Sequence, residues 1–277
     1  MSALRWALRG ALLLGAMPLS AQNWQTLTVE RTQVASPELS VVVRHDVGQF
    51  SIRPVRDSVR YRATLRYDQR AVEPIYRYAE DSAALRIGTR ERSGRTGEGT
   101  RKSDLELALG TSGTLAIDVR AGAAETLLDL SGLPITTLAV SSGASDTRVR
   151  FDRPNPVRMK SLTLSTGAAS ISADRLGNAN AEEIVVRSAV GQIELDLSGS
   201  WQGDSELRAE IWLGELTIRV PADVGVHLEP SRVLAGFNHE GLSSRGNAFV
   251  SDNWDTATRK LRIYAQTVFG FLTVEHR

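Results

Sequence analysis

Five charged residues recur at nearly constant spacing: Asp129, Arg150, Asp174, Asp196 and Arg219 lie 21, 24, 22 and 23 residues apart. Stacked in register, they would form a ladder along one solvent face. Asp174 and Asp196 would then be neighbouring carboxylates, a like-charged pair of the kind that raises one pKa for acid–base work or attracts a cation. With Trp212 as a platform for a sugar ring, such a ladder could serve a polysaccharide lyase or hydrolase. A hydrolase would need its carboxylates roughly 5–9.5 Å apart. The plainer reading is a solvated stripe whose ion pairs contribute under ~1 kcal/mol each.

Other chemistry is sparse. There is no cysteine, which removes disulfides, thiolate catalysis, iron–sulfur clusters and Cys-based zinc sites. His45, His227, His239 and His276 show neither His-x-His nor His-Glu-x-x-His spacing, so no metal is expected. No Gly-x-Ser-x-Gly elbow occurs. Gly94, Gly97 and Gly99 lack the lysine and helix of a phosphate loop, and no cofactor is expected. With 33 basic and 32 acidic residues in 277, the chain lacks the basic excess of a nucleic-acid binder.

The elements that would carry the ladder are repeats. A ten-residue template, apolar at positions 1, 8 and 10 with Gly at 6, fits Val43–Ile52, Ala108–Ile117, Val186–Leu195, Ala209–Ile218 and Ala265–Val274. A variant with Gly at position 4 fits Val119–Leu128, Val140–Val149 and Leu164–Ala173. The sequence LDLSG appears at 128–132 and again at 195–199, 67 residues or three periods later. A period near 22 with short alternating strands fits coils of a parallel β-solenoid. Inward residues of one strand share a parity. Position 1 is odd and positions 8 and 10 are even, so the chain must bend between them, and the glycine supplies that corner.

Residues 1–21 read as a signal peptide. Arg5 and Arg9 precede an apolar run from Gly10 to Leu19, and Ser20-Ala21 offers small residues for cleavage. That run is too short to span a bilayer, and no later run approaches spanning length. Cleavage near Ala21 would leave an exported, soluble chain of net charge −1.

Several stretches together resemble the toast-rack β-solenoid family of adhesin-like bacterial proteins, which includes the C-terminal domains of cell-wall-active antibiotic response proteins. They are LDLSGL (128–133), LAVSSGA (138–144), LTLSTGA (162–168), LGNAN (176–180), GQIELDLSG (191–199) and VPADVGV (220–226). The likeness covers roughly 105–277 well and 38–104 loosely. It implies an envelope β-solenoid and supplies no catalytic residues.

Two segments interrupt the pattern. Residues 89–102, TRERSGRTGEGTRK, hold no apolar side chain and read as a mobile loop. Residues 229–264 break the period with Pro230 and several glycines and aromatics, as a solenoid cap would. The expected organisation is thus a signal peptide at 1–21, an N-terminal β region at 22–102 forming the first coils, and a single-stranded parallel β-solenoid at 103–277 with its cap from about 229. The expected function is a non-catalytic, adhesin-like or structural module of the cell envelope, periplasmic, cell-surface or secreted. Its partner would be an envelope glycan or protein, met through Asp129, Arg150, Asp174, Asp196, Arg219 and Trp212. The alternative is the polysaccharide-cleaving β-helix enzyme.

Overall fold

The computed structural model describes residues 23–32, 38–56, 58–92 and 103–277. The signal-peptide reading of 1–21, and residues 93–102 of the expected loop, lie outside them. The described chain is all β, with a single 3₁₀ turn at Leu176–Ala179. Seven strands come first: β1 (Trp24–Thr32), β2 (Glu38–Val55), β3 (Val59–Asp68), β4 (Val72–Ala79), β5 (Ala84–Glu91), β6 (Ser103–Gly110) and β7 (Thr114–Asp129). β2 and β7 are long strands bent at Gly48 and Gly122, and they pair in parallel along both arms, Val43 with Val119 and Ile52 with Leu128. β5 lies parallel to the first arm of β2 and β6 to its second arm.

Ten strands follow: β8 (Ile135–Ser142), β9 (Thr147–Arg150), β10 (Met159–Ala168), β11 (Ile171–Asp174), β12 (Ala181–Asp196), β13 (Ser205–Val220), β14 (Gly225–Glu240), β15 (Leu242–Arg245), β16 (Ala248–Ser251) and β17 (Lys260–His276). Template first positions meet in one unbroken row: Val119 pairs with Val140, Val140 with Leu164, Leu164 with Val186, Val186 with Ala209, and Ala209 with Ala265. Each layer has two arms joined at a glycine corner, and a return segment leads to the next layer.

The structure departs from the sequence reading in four places. First, the ladders are not parallel throughout. β1 pairs antiparallel with β3, β3 with β6, and β4 with β5, so flanking strands cover the first layer. Of these pairs, only β4 and β5 are joined by a hairpin-length connection; β2 intervenes between β1 and β3, and β4 and β5 intervene between β3 and β6. Second, the layers do not follow chain order at the C-terminal end. β14 lies outermost, and β17 inserts between β13 and β14. Ala265, 56 residues after Ala209 in the chain, is its immediate neighbour in the stack. Third, Gly113 is no corner. It sits in the tight turn between β6 and β7 with a positive φ of 80°, and the corner of that layer is Gly122. Fourth, Thr89 to Glu91 complete β5 rather than opening a loop, because Thr89 points inward and is fully buried.

The core is one continuous column of alternate residues. Leu39, Val41, Val43, Leu164, Val186, Ala209, Ala265 and Leu272 are all at 2% exposure or less. Each fully buried Leu, Ile or Val stabilises the fold by roughly 1.5–3 kcal/mol. The return segments are pinned by buried amides. Asn155 Nδ2 donates to the Ile135 carbonyl at 2.8 Å and the Ala179 carbonyl at 3.1 Å. Its Oδ1 accepts from Ile135 N at 3.2 Å and Val157 N at 3.1 Å. One side chain thus ties three successive layers. Removing it strands buried backbone groups, so Asn155→Ala is expected to cost about 2 kcal/mol in urea unfolding. A loss below ~0.5 kcal/mol would show that water replaces the amide without penalty.

Candidate functional site

The five charges of the expected ladder share the outer face of the second arms. Asp129 pairs in register with Arg150, Arg150 with Asp174, and Asp196 with Arg219, which is followed by Glu275. Ala173 opposite Leu195 sets Asp174 and Asp196 on adjacent strands. Arg150 reaches Asp129 at 3.2 Å and Asp152 at 3.0 Å. Arg219 reaches Glu194 at 3.5 Å and Glu275 at 3.4 Å. These groups are partly exposed, so each pair is worth under ~1 kcal/mol.

The aspartates of the repeated LDLSG pentapeptide have a local task. Asp129 Oδ1 accepts from Ser131 N at 3.2 Å, and Asp196 Oδ1 from Ser198 N at 2.9 Å. Ser198 Oγ also donates to Asp196 Oδ2 at 2.8 Å. Both carboxylates therefore close Asx-type turns that start the return segment. Partial burial pushes the Asp129 carboxyl up, but the Ser131 donors and Arg150 outweigh it and hold it below the usual carboxylate range. Both Asp196 oxygens thus accept from Ser198.

A shallow trough runs beside the ladder. Its central cleft, about 300 Å³, is lined by Ser51, Ile52, Arg53, Leu127, Leu128, Asp129, Arg148 and Arg150. Register explains the grouping: Ser51 lies opposite Leu127, Leu127 opposite Arg148, and Asp129 opposite Arg150. The trough extends toward Gln49, Thr64, Arg66 and Glu106 on one side, and toward Asp146, Ser172 and Glu194 on the other. Arg53 and Arg148 have no carboxylate partner among the described residues. Leu127 is an exposed large apolar side chain on the trough floor. Planar guanidinium groups around an apolar floor suit a carboxylate- or phosphate-bearing ligand with a hydrophobic or ring face.

Sequence reasoning missed Arg53, Leu127 and Arg148. A signal existed for two of them. Arg53 follows position 10 of the Val43–Ile52 template, the place from which the ladder was taken. Leu127 and Leu128 are adjacent, and only one of two neighbours on a strand can face the core.

Trp212 stands apart from the ladder. It lies on the first arm of β13, two residues before the Gly214 corner, and is 67% exposed. The structure therefore brings the five charges together and leaves the tryptophan on the other side of the corner. No group of His, Asp and Glu that could hold a metal ion occurs among the described residues, and none of their helices is long and apolar enough to cross a membrane.

Comparison with known proteins agrees with this architecture. The family model described as the N-terminal domain of toast_rack, DUF2154, matches residues 20–172, more than half of the chain. No curated protein matches. Among solved structures, a candidate cell adhesion protein from Clostridium sporogenes is 14% identical, with a TM-score of 0.50 over 92% of this chain and 100% of that one. A candidate adhesin from Bacteroides fragilis is 10% identical, with a TM-score of 0.36 over 90% and 97% of the two chains. A candidate lipid-binding protein from Parabacteroides distasonis is 12% identical, with a TM-score of 0.35 over 91% and 97%. At 14% identity the Clostridium likeness speaks for the fold alone. With the family model matching most of its N-terminal half and the stacked parallel layers continuing beyond it, the chain belongs to the toast-rack family.

Proposed function

We propose that this chain is an exported, non-catalytic binding module of the bacterial cell envelope that holds an anionic envelope glycan in the trough beside the charged ladder. The observation that carries the reading is the trio of Arg53, Arg148 and Arg150 around exposed Leu127. Two of these cations lack carboxylate partners among the described residues and are therefore available to acidic groups spaced along a polymer. The finer fold reading belongs with this proposal: a single-stranded parallel β-solenoid, its first coils within 22–102 and its main array within 103–277. Export rests on Arg5, Arg9 and the apolar run to Leu19. The adhesion description of the Clostridium structure is in keeping with a binding role.

The test is binding of the purified chain to immobilised polysaccharides, half bearing uronic acid or phosphate groups and half neutral. Binding to the acidic set is expected, weakened at least tenfold in an Arg53→Ala/Arg148→Ala double variant. Equal binding to neutral glycans, no binding at all, or shortening of the polymer would each overturn the reading.

A further inference from the structure

Several charges on the stacked faces are paired across neighbouring strands. Arg187 meets Glu210 at 3.5 Å, Arg208 meets Glu183 at 3.6 Å, and Arg150 meets Asp129 at 3.2 Å. The trough is different. Besides Arg53 and Arg148 it holds Glu125 and Asp146, and neither carboxylate has a cationic partner among the described residues. Charges of both signs thus stand unpaired within one trough.

Their arrangement follows from parity and register. Glu125 and Leu127 both face outward on β7, two residues and therefore about 6–7 Å apart along the strand. Asp146 lies beside Glu125, since Thr126 N donates to the Asp146 carbonyl at 3.0 Å. Glu125 Oε2 accepts from the neutral amide of Gln49 at 3.0 Å. Arg148 lies opposite Leu127, and Arg53 follows Ile52, the partner of Leu128. The acidic pair therefore sits on the corner side of Leu127, with guanidinium groups level with that leucine and beyond it.

Two exposed carboxylates side by side on neighbouring strands repel, and no cation of the described chain relieves them. Arg148 stands diagonally across from Glu125, roughly 8 Å away by strand geometry. No ion pair joins the two. A metal ion does not fit the pair, because no cluster of three metal-ligating side chains occurs among the described residues. The cation that suits Glu125 and Asp146 is one that a ligand carries, a compact ammonium with three donors.

We infer that the trough takes a zwitterionic glycan, bearing free ammonium groups as well as carboxylates or phosphates. Glu125 and Asp146 hold the ammonium, while Arg148 and Arg53 hold the anionic group of a neighbouring sugar. The inference rests on the anionic-glycan reading of the trough and narrows it. A polymer with anionic groups alone would bring like charge against Glu125 and Asp146. One with ammonium groups alone would do the same against the arginines. Leu127, between the two sets, offers an apolar contact to the ring that carries them.

Three polymers test this in EDTA at low ionic strength, under mildly acidic conditions that keep amino sugars charged. Hyaluronan carries carboxylates alone, its de-N-acetylated form alternates carboxylate with ammonium, and chitosan carries ammonium alone. The full chain is expected to bind de-N-acetylated hyaluronan at least tenfold more tightly than either of the others. Glu125→Gln/Asp146→Asn is expected to bring that affinity to within about twofold of the affinity for hyaluronan, with far-UV circular dichroism unchanged. Arg53→Ala/Arg148→Ala is expected to weaken binding of the zwitterionic polymer at least tenfold. If hyaluronan binds as tightly as its de-N-acetylated form, the inference falls and the anionic reading stands. If neither binds, both fall. A preference that survives Glu125→Gln/Asp146→Asn, or equal binding of chitosan, also overturns the inference.

Discussion

Acidification from pH 7 to pH 4 is expected to remove roughly 3 kcal/mol of folding stability through His45 alone. His45 ends the inward row Leu39, Val41, Val43 on the first arm of β2 and is fully buried. Thr89 Oγ1 lies 3.2 Å from its Nδ1, and Ser103 Oγ lies 3.3 Å from its Nε2. Ser103 Oγ donates its own proton to the Val47 carbonyl at 2.6 Å, so it can only accept from the ring. The neutral tautomer with the proton on Nε2 therefore satisfies the site, with Nδ1 accepting from Thr89. Burial is the main cause that lowers the imidazole pKa from 6.5 to about 4, against smaller opposing effects of the Ser103 and Gln49 backbone and of Asp104 and Asp46. The folded pKa lies below the unfolded one, so the unfolded chain binds the extra proton first. Stability is then fully present above pH 6.5, declines below it, and has lost the His45 contribution by pH 4. Urea unfolding at several pH values would measure the slope. Surface carboxylates contribute to both proteins, so the difference between wild type and His45→Gln isolates the buried ring. Parallel loss of stability in the two proteins between pH 6.5 and 4 would rule the ring out as the cause.

Much of the stack was legible because it depends on local rules. The change of parity between template positions 1 and 8 demands a bend, and the bends occur at Gly48, Gly191, Gly214 and Gly270. The row from Val119 to Ala209 pairs residue by residue, since a constant period and a buried face leave one register. What the template lacks is any statement of which layers are neighbours. Ala265–Val274 satisfies it as well as Ala209–Ile218 does, yet nothing in either stretch says that β14 lies beyond β17 rather than between it and β13. Gly113 misled for the opposite reason: two strands joined by a tight turn place a glycine at the same spacing as a corner does. At the site, the ladder followed from outward parity alone. The same parity assigns Arg53 and Glu275 to the ladder face, the first in the opening layer and the second in a layer displaced along the chain. The trough was illegible because it is made between strands, by Leu127 and Arg148 meeting across β7 and β9.

Gly214→Ala is expected to be among the most damaging conservative substitutions at the described residues, costing about 4 kcal/mol or more. A Cβ at Gly214 would stand 1.8 Å from the Gly191 carbonyl oxygen, where ordinary contacts exceed 3 Å. One layer up, a Cβ at Gly270 would stand 1.8 Å from the Gly214 oxygen. The corners are thus a column of backbone on backbone, and no flexible side chain can yield. Its φ of +139° adds strain of about 1–3 kcal/mol for any residue with a Cβ. Relieving the clash by separating the layers would break ladder hydrogen bonds at ~1 kcal/mol each and open the core beneath Ile211 and Leu216. Against a total stability of about 5–15 kcal/mol, that loss brings the protein near unfolding at 37 °C. Two other glycines calibrate the effect. Gly143, whose Cβ would lie 3.1 Å from the Gly122 oxygen, tightens the column without a positive φ, so its alanine variant should cost about 1–2 kcal/mol. Gly246 has φ +64° and open space around it, so alanine there should cost about 1 kcal/mol from backbone strain alone. Urea midpoints for the three alanine variants should fall in that order, Gly214 far below the others. If Gly214→Ala unfolds within ~1 kcal/mol of wild type, the layers can part at the corner, and the close-packed glycine column does not hold them together.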